Sequence, residues 1–69
     1  MNDNVYAVTE IVGSSKESME DAIRSAVATA SKTLRNLEWF EVTETRGYIE
    51  KDRVAYFQVM LKIGFRYDK

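Results

Sequence analysis

The chain has 69 residues, ten of them basic and eleven acidic, a net charge of −1, no cysteine and no histidine. That composition excludes disulfides and thiolate metal centres, removes the commonest metal ligand and general base, and offers no basic face for nucleic acid. A single domain over residues 1–69 is small enough to bury only about 60% of its unfolded surface, so oligomerisation, or else an unusually well-packed core, is the stabilising device left to it.

No segment resembles a signal peptide, and no apolar run is long enough to span a bilayer. A cytoplasmic protein without a membrane partner is therefore expected. At 45% hydrophobic residues and no proline, the chain should be ordered almost throughout.

The first element is "VYAVTEIV", residues 5 to 12, whose β-branched and aromatic content predicts a strand ended by Gly13. A helix follows. Ser18 with Asp21 forms a capping-box pattern, and Ser14 with Glu17 is a second candidate start. Met19, Ala22, Ile23, Ala26, Val27, Ala30 and Leu34 recur at helical period, which predicts a helix to about Leu34 with one apolar stripe. Glu17, Glu20 and Asp21 near its start, and Lys32 and Arg35 near its end, suit the helix dipole.

A second strand is predicted over about 37 to 49, a polar turn over "EKDR" at 50 to 53, and a third strand over about 54 to 67. In the third strand Ala55, Phe57, Val59, Leu61, Ile63, Phe65 and Tyr67 alternate with Gln58, Lys62 and Arg66, so the odd face should lie on the helix. The order predicts an α+β fold: a β-α-β-β subunit with a three-stranded antiparallel sheet wrapped on one helix. With Phe40 and Val42 in the core, Trp39, Glu41, Thr43 and Thr45 share the opposite face with Tyr56, Gln58, Met60 and Lys62. A face bearing Trp, Tyr and Met wants a partner surface or a planar ligand.

Catalytic constellations are lacking. Ser14 and Ser15 have no base to activate them. The carboxylate pairs Glu20 with Asp21 and Glu41 with Glu44 read as solvated charges, and Gly13, Gly47 and Gly64 as turns or close backbone approaches. Trp39 is either a subunit-contact residue or a stacking platform for a flat heterocycle. Gln58, on the same face, offers an amide donor and acceptor side by side, the complement of a ring edge with C=O beside N–H. Arg46 and Arg66 are either salt-bridge residues or planar forks for a ligand phosphate.

The stretches "VYAVTEIVGSS", "SMEDAIRSAVATASKTLRNLEWFEVTETRGYI" and "FQVMLKIGFR" together resemble the dodecins, small flavin-binding proteins, over nearly the whole chain. The resemblance implies a hollow homododecamer of cubic symmetry with pairs of flavins sandwiched between tryptophans at its two-fold axes. It implies that Trp39 stacks on the flavin and that Gln58 bonds the pyrimidine edge of the ring. It implies that Arg46 meets the FMN phosphate or a subunit interface, and that Arg66 meets coenzyme A at a trimer contact. Phe57 stands where the family often has tyrosine, and Ala7 where it often has a longer polar residue. The implied function is flavin storage and photochemical quenching without enzymatic activity. FMN is the expected ligand on the near-neutral charge balance of bacterial members, with riboflavin or FAD as alternatives. The rival readings are a coenzyme A-binding or purely structural assembly with incidental flavin binding, and a flavoenzyme, for which a ring stacked on both faces leaves no room.

Overall fold

The computed structural model describes residues 4–67. Its elements are β1 (Tyr6–Ser15), α1 (Met19–Ala30), β2 (Leu37–Glu50) and β3 (Arg53–Arg66). The strands form one antiparallel sheet in the order β1-β3-β2, the expected β-α-β-β architecture, with the alternating strand β3 at the centre.

β1 alternates between a half-buried helix-side face (Ala7, Thr9, Ile11) and an exposed face, and it does not stop at Gly13. It runs on to Ser15, and Gly13 keeps a negative φ. The glycine serves close packing instead. A Cβ there would strike the Ala22 carbonyl oxygen and lie 2.9 Å from the Ala26 Cβ. The missing side chain lets α1 settle onto the end of β1.

The turn from β1 into α1 is tied down by two serines. Ser15 Oγ accepts from the backbone N–H of Glu17 (2.9 Å) and Ser18 (3.3 Å) and donates to Asp21 Oδ2 (2.7 Å). Ser18 is the N-cap, its Oγ accepting from Asp21 N at 3.0 Å. Of the two candidate starts Ser18 is the one used, and Glu17 lies ahead of the cap. Asp21 closes on Ser15 and not on the Ser18 N–H, which is only half of a capping box.

The helix ends at Ala30, a turn earlier than its apolar periodicity suggested. Residues 31–33 form a turn, and Asn36 takes the left-handed conformation with φ 61° that redirects the chain into β2. Leu34 still packs against the core from outside the helix, which is why the stripe reads as continuous in sequence. Lys32 and Arg35 lie beyond the last helical turn, which holds no basic residue, so the expected pairing with the dipole is not made there.

The hairpin joining β2 to β3 is tighter than a four-residue turn. Glu50 pairs with Arg53, leaving Lys51 and Asp52 with φ of 51° and 63°. Positive φ at both central residues is the mark of the I′ turn, whose twist matches that of the strands.

The core consists of Ala22, Ala26 and Ala30 against Val59, Leu61 and Ile63, edged by Ile11, Met19, Ile23, Val27, Leu34 and Leu37. The helix packs chiefly on β1 and β3. Phe40 and Val42 lie opposite Ile63 and Leu61 on the helix side, yet they are 50% and 42% exposed and do not join the core as expected. The reason is lateral: β2 is the far edge strand, and one alanine-faced helix seated chiefly over β1 and β3 covers it only in part, at Leu37.

The proportions carry the same message. Twelve helical residues span about 18 Å, whereas fourteen strand residues span about 46 Å. The pairing of β1 with β3 stops at Ser15 and Phe57, so residues 48–56 project as a two-stranded ribbon. The radius of gyration is 14.5 Å, against about 11 Å for a compact domain of this length. On the ribbon Ile49 is 74% exposed. A two-stranded ribbon with apolar residues in water is marginal by itself, so this shape calls for partner surfaces.

Candidate functional site on the open face of the sheet

The face away from the helix carries Trp39, Gln58, Arg46 and Arg66, but in two groups. Bulges in β2 decide which residues belong to it. The register shifts between Leu37 and Trp39 and again between Val42 and Glu44. Trp39 and Glu41 lie opposite Gly64 and Lys62 on the open face. The extra residue at Thr43 then inverts the alternation, as a bulge must. Beyond it Glu44, Arg46 and Tyr48 face outward opposite Met60, Gln58 and Tyr56, while Thr45 pairs with Val59 on the helix side. The expectation that Thr45 shares the face of Trp39 is therefore wrong. Thr43 is spent on the sheet, its Oγ1 donating to the Met60 carbonyl at 3.2 Å.

At one end of the face sits Trp39. Its indole leaves β2, passes over Gly64 of the central strand and meets Tyr6 of β1 edge-on, with ring centroids 5.1 Å apart and planes at 66°. A Cβ on Gly64 would fall among the fused-ring atoms Cδ2, Cε2 and Cζ2 of the indole. The indole thus lies against bare backbone, and 39% of Trp39 stays open to solvent. Arg66, opposite Tyr6 on the neighbouring strand, is at this end too, 3.7 Å from the Glu38 carboxylate in an exposed ion pair.

At the other end sits Gln58. It lies between Ser14 of β1 and Arg46 of β2 in register, and its Nε2 donates to Ser14 Oγ at 3.1 Å. Arg46 is ion-paired with Glu44 on its own strand. Hydrogen bonds to Tyr48 and then to Glu44 hold the Arg46 guanidinium pKa above its usual value. The Tyr48 and Tyr56 rings stack next to it, centroids 4.7 Å apart and planes at 15°.

The structure therefore brings Gln58 and Arg46 together and leaves Trp39 apart from them. Gly64 and Gln58 are six residues apart on one strand, roughly 20 Å. Within a single chain, therefore, the indole and the amide do not flank one site. Sequence reasoning overlooked Tyr6; it read Gly64 as a turn or close backbone approach, of which the structure shows the second, and it read Ser14 as a candidate helix start, whereas its hydroxyl accepts from Gln58. A glycine inside an alternating strand was the available signal for Gly64, since such a residue marks close approach. Among the described residues no group of three or more acidic, His or Cys side chains could hold a metal, and no helix is long and apolar enough to cross a membrane.

One helix on a three-stranded antiparallel sheet in β-α-β-β order, with a long ribbon and a half-open tryptophan on the outer face, defines a class of small α+β protein. Residues 5–68 match the family model described as Dodecin, and the chain belongs to the dodecin family. A curated dodecin of Thermus thermophilus is 51% identical over 65 residues, covering 94% of each chain. The solved dodecin of Streptomyces coelicolor superposes with a TM-score of 0.95 at 52% identity, covering 100% of this chain and 99% of that one. The dodecin of Streptomyces davaonensis does so with a TM-score of 0.95 at 47% identity, over 99% and 100%.

Proposed function

We propose that this chain is the subunit of a cytoplasmic, non-enzymatic flavin store, which holds FMN between two copies of itself and damps its photochemistry. The observation that carries the reading is the division of the open face. Trp39 offers an indole lying against the sheet with its outward side open, and Gln58 with Arg46 offers a donor, an acceptor and a guanidinium about 20 Å away. No single tricyclic ring bridges that gap. A two-fold contact, in which residue i meets residue j of the partner and j meets i, brings Trp39 of one chain to Gln58 of the next and does so twice. Two flavin sites per pair follow. The same contact would cover Val8, Val12 and the ribbon, which the small core of the monomer leaves exposed.

Each residue has a task in this arrangement. Trp39 gives an aromatic face to the ring and, as an electron-rich indole in contact, passes an electron to the excited ring, which hands it back to the oxidised indole and so ends in its ground state. Gln58 meets the adjacent C=O and N–H of the pyrimidine edge. Arg46, at the Gln58 end, is placed for the phosphate, and its Glu44 partner would have to yield. Arg66 is assigned to coenzyme A on family resemblance, and its ion pair with Glu38 is exposed enough to open. Riboflavin and FAD share the same ring and are weaker alternatives. The family's hollow homododecamer is the assembly we adopt. A coenzyme A-binding or structural assembly with incidental flavin binding is the rival.

The test is direct. The purified protein is denatured and the released small molecules are weighed by mass spectrometry, then the stripped protein is titrated with FMN while fluorescence and scattering mass are recorded. FMN in the released fraction and quenching on a dodecameric particle support the reading. Tight coenzyme A binding with no response to FMN would move the assignment to the rival.

A further inference from the structure

Trp39 is on an edge strand and Tyr6 on the opposite edge strand, with β3 between them, yet their rings touch. Contact across a whole central strand requires the strand to be bare at the crossing. Gly64 is that crossing. It is buried beneath the indole although it faces away from the helix, and any Cβ on it would overlap the fused-ring atoms. Its φ is not positive, so the glycine is not needed for its backbone conformation. Val8, the β1 neighbour of Gly64, stays 55% exposed. The Tyr6 ring is what stops the indole from sliding further across the sheet, because an edge-to-face pair at this separation is a favourable aromatic geometry.

We infer that Gly64 and Tyr6 are positioning residues for Trp39: Gly64 lets the indole lie against the sheet backbone, and Tyr6 fixes its plane. The indole then presents one pre-set face outward, and a planar ligand stacks on it without first ordering a side chain. Tyr6 and Gly64 act through Trp39 and need not touch the ligand. The inference rests on the reading of Trp39 as the flavin-stacking residue, and it extends that reading to what holds the platform still. A side chain at position 64 tilts the ring off the backbone and turns its face away from the two-fold partner. Loss of the ring at position 6 leaves the indole free to swing, at the cost of affinity but not of fold.

The chain has one tryptophan, so its signals report this site alone. The experiment measures tryptophan fluorescence anisotropy and the indole band of the near-ultraviolet circular dichroism in flavin-free protein, then FMN affinity and the depth of quenching. Gly64→Ala should lower the anisotropy and flatten the indole band, and weaken FMN at least tenfold with incomplete quenching, while light scattering finds the same particle size. Tyr6→Phe keeps the ring edge and should match wild type in all four readouts. Tyr6→Ala should lower the anisotropy and weaken FMN several-fold. Unchanged anisotropy and dichroism in Gly64→Ala would overturn the inference. Should Gly64→Ala fail to assemble, Tyr6→Ala decides by the same two spectra. If wild type ignored FMN altogether, the flavin reading would fall, while the flavin-free spectra would still decide whether these residues set the indole.

Discussion

The Gln58 amide nitrogen donates to the Ser14 hydroxyl across the β1–β3 pair at 3.1 Å. This bond leaves the carbonyl end of the amide on the side away from Ser14 and gives the side chain one preferred orientation. Ser14→Ala removes the restraint and leaves Gln58 in place. FMN affinity should fall by about 2- to 13-fold, the equivalent of one net hydrogen bond of ~0.5–1.5 kcal/mol. Fluorescence titration checks it, and a variant that binds as wild type does would show that the amide is oriented by the ligand alone.

Gln58→Glu should cost more than Gln58→Ala. The carboxylate keeps the length but has no donor, and a charge in a ligand-covered site faces a ring carbonyl at a penalty above the ~1–3 kcal/mol of an unpaired neutral group. The sign with pH follows from the carboxyl. Its ordinary pKa is about 4.3 and covering by the ligand raises it, so lowering the pH through that range protonates it and restores a donor. Affinity of the variant should recover on acidification, while that of Gln58→Ala should not. Paired titrations near neutral pH and at the lowest pH that keeps the particle intact make the comparison.

Trp39→Ala should weaken FMN by about 5- to 150-fold, taking ~1–3 kcal/mol for one lost stacking face. Trp39→Phe should retain much of the affinity and lose most of the quenching, since a phenyl ring stacks but donates electrons poorly. Affinity and residual emission from one titration separate the two contributions.

Gly13→Ala and Gly47→Ala form a contrasting pair. At position 13 the new methyl meets the Ala22 carbonyl and the Ala26 Cβ, so α1 must shift, at about 1–3 kcal/mol of overpacking. At position 47 the nearest atom is the Tyr56 carbonyl oxygen at 3.7 Å, an ordinary contact, and φ is not positive. Thermal unfolding should show a clear loss for Gly13→Ala and little change for Gly47→Ala.

Asp52→Gly should stabilise the chain. Asp52 has φ of 63°, in the left-handed region that costs a residue with a Cβ about 1–2 kcal/mol, whereas a glycine there adds only ~0.5–1 kcal/mol of chain entropy. A rise in the unfolding midpoint is the expected result, and an unchanged midpoint would place the strain outside the turn.

By itself the sequence determined the order of elements and the face of β3 that meets the helix. Both are written in short-range periods: alternation along Val59, Leu61 and Ile63, and the helical stripe through Ala22, Ala26 and Ala30. It also determined that Trp39 lies off the core, and the family to which the chain belongs. Tertiary structure alone decided the rest. The bulge at Thr43 inverted β2 and brought Arg46 to Gln58, and a bulge has no period from which it could be read. The lateral seat of α1 left Phe40 uncovered, because the width of a helix is compared with that of a sheet only once both are packed. The contact of Trp39 with Tyr6 over Gly64, and the distance from Trp39 to Gln58, depend on strand order and register, which join residues far apart in the chain.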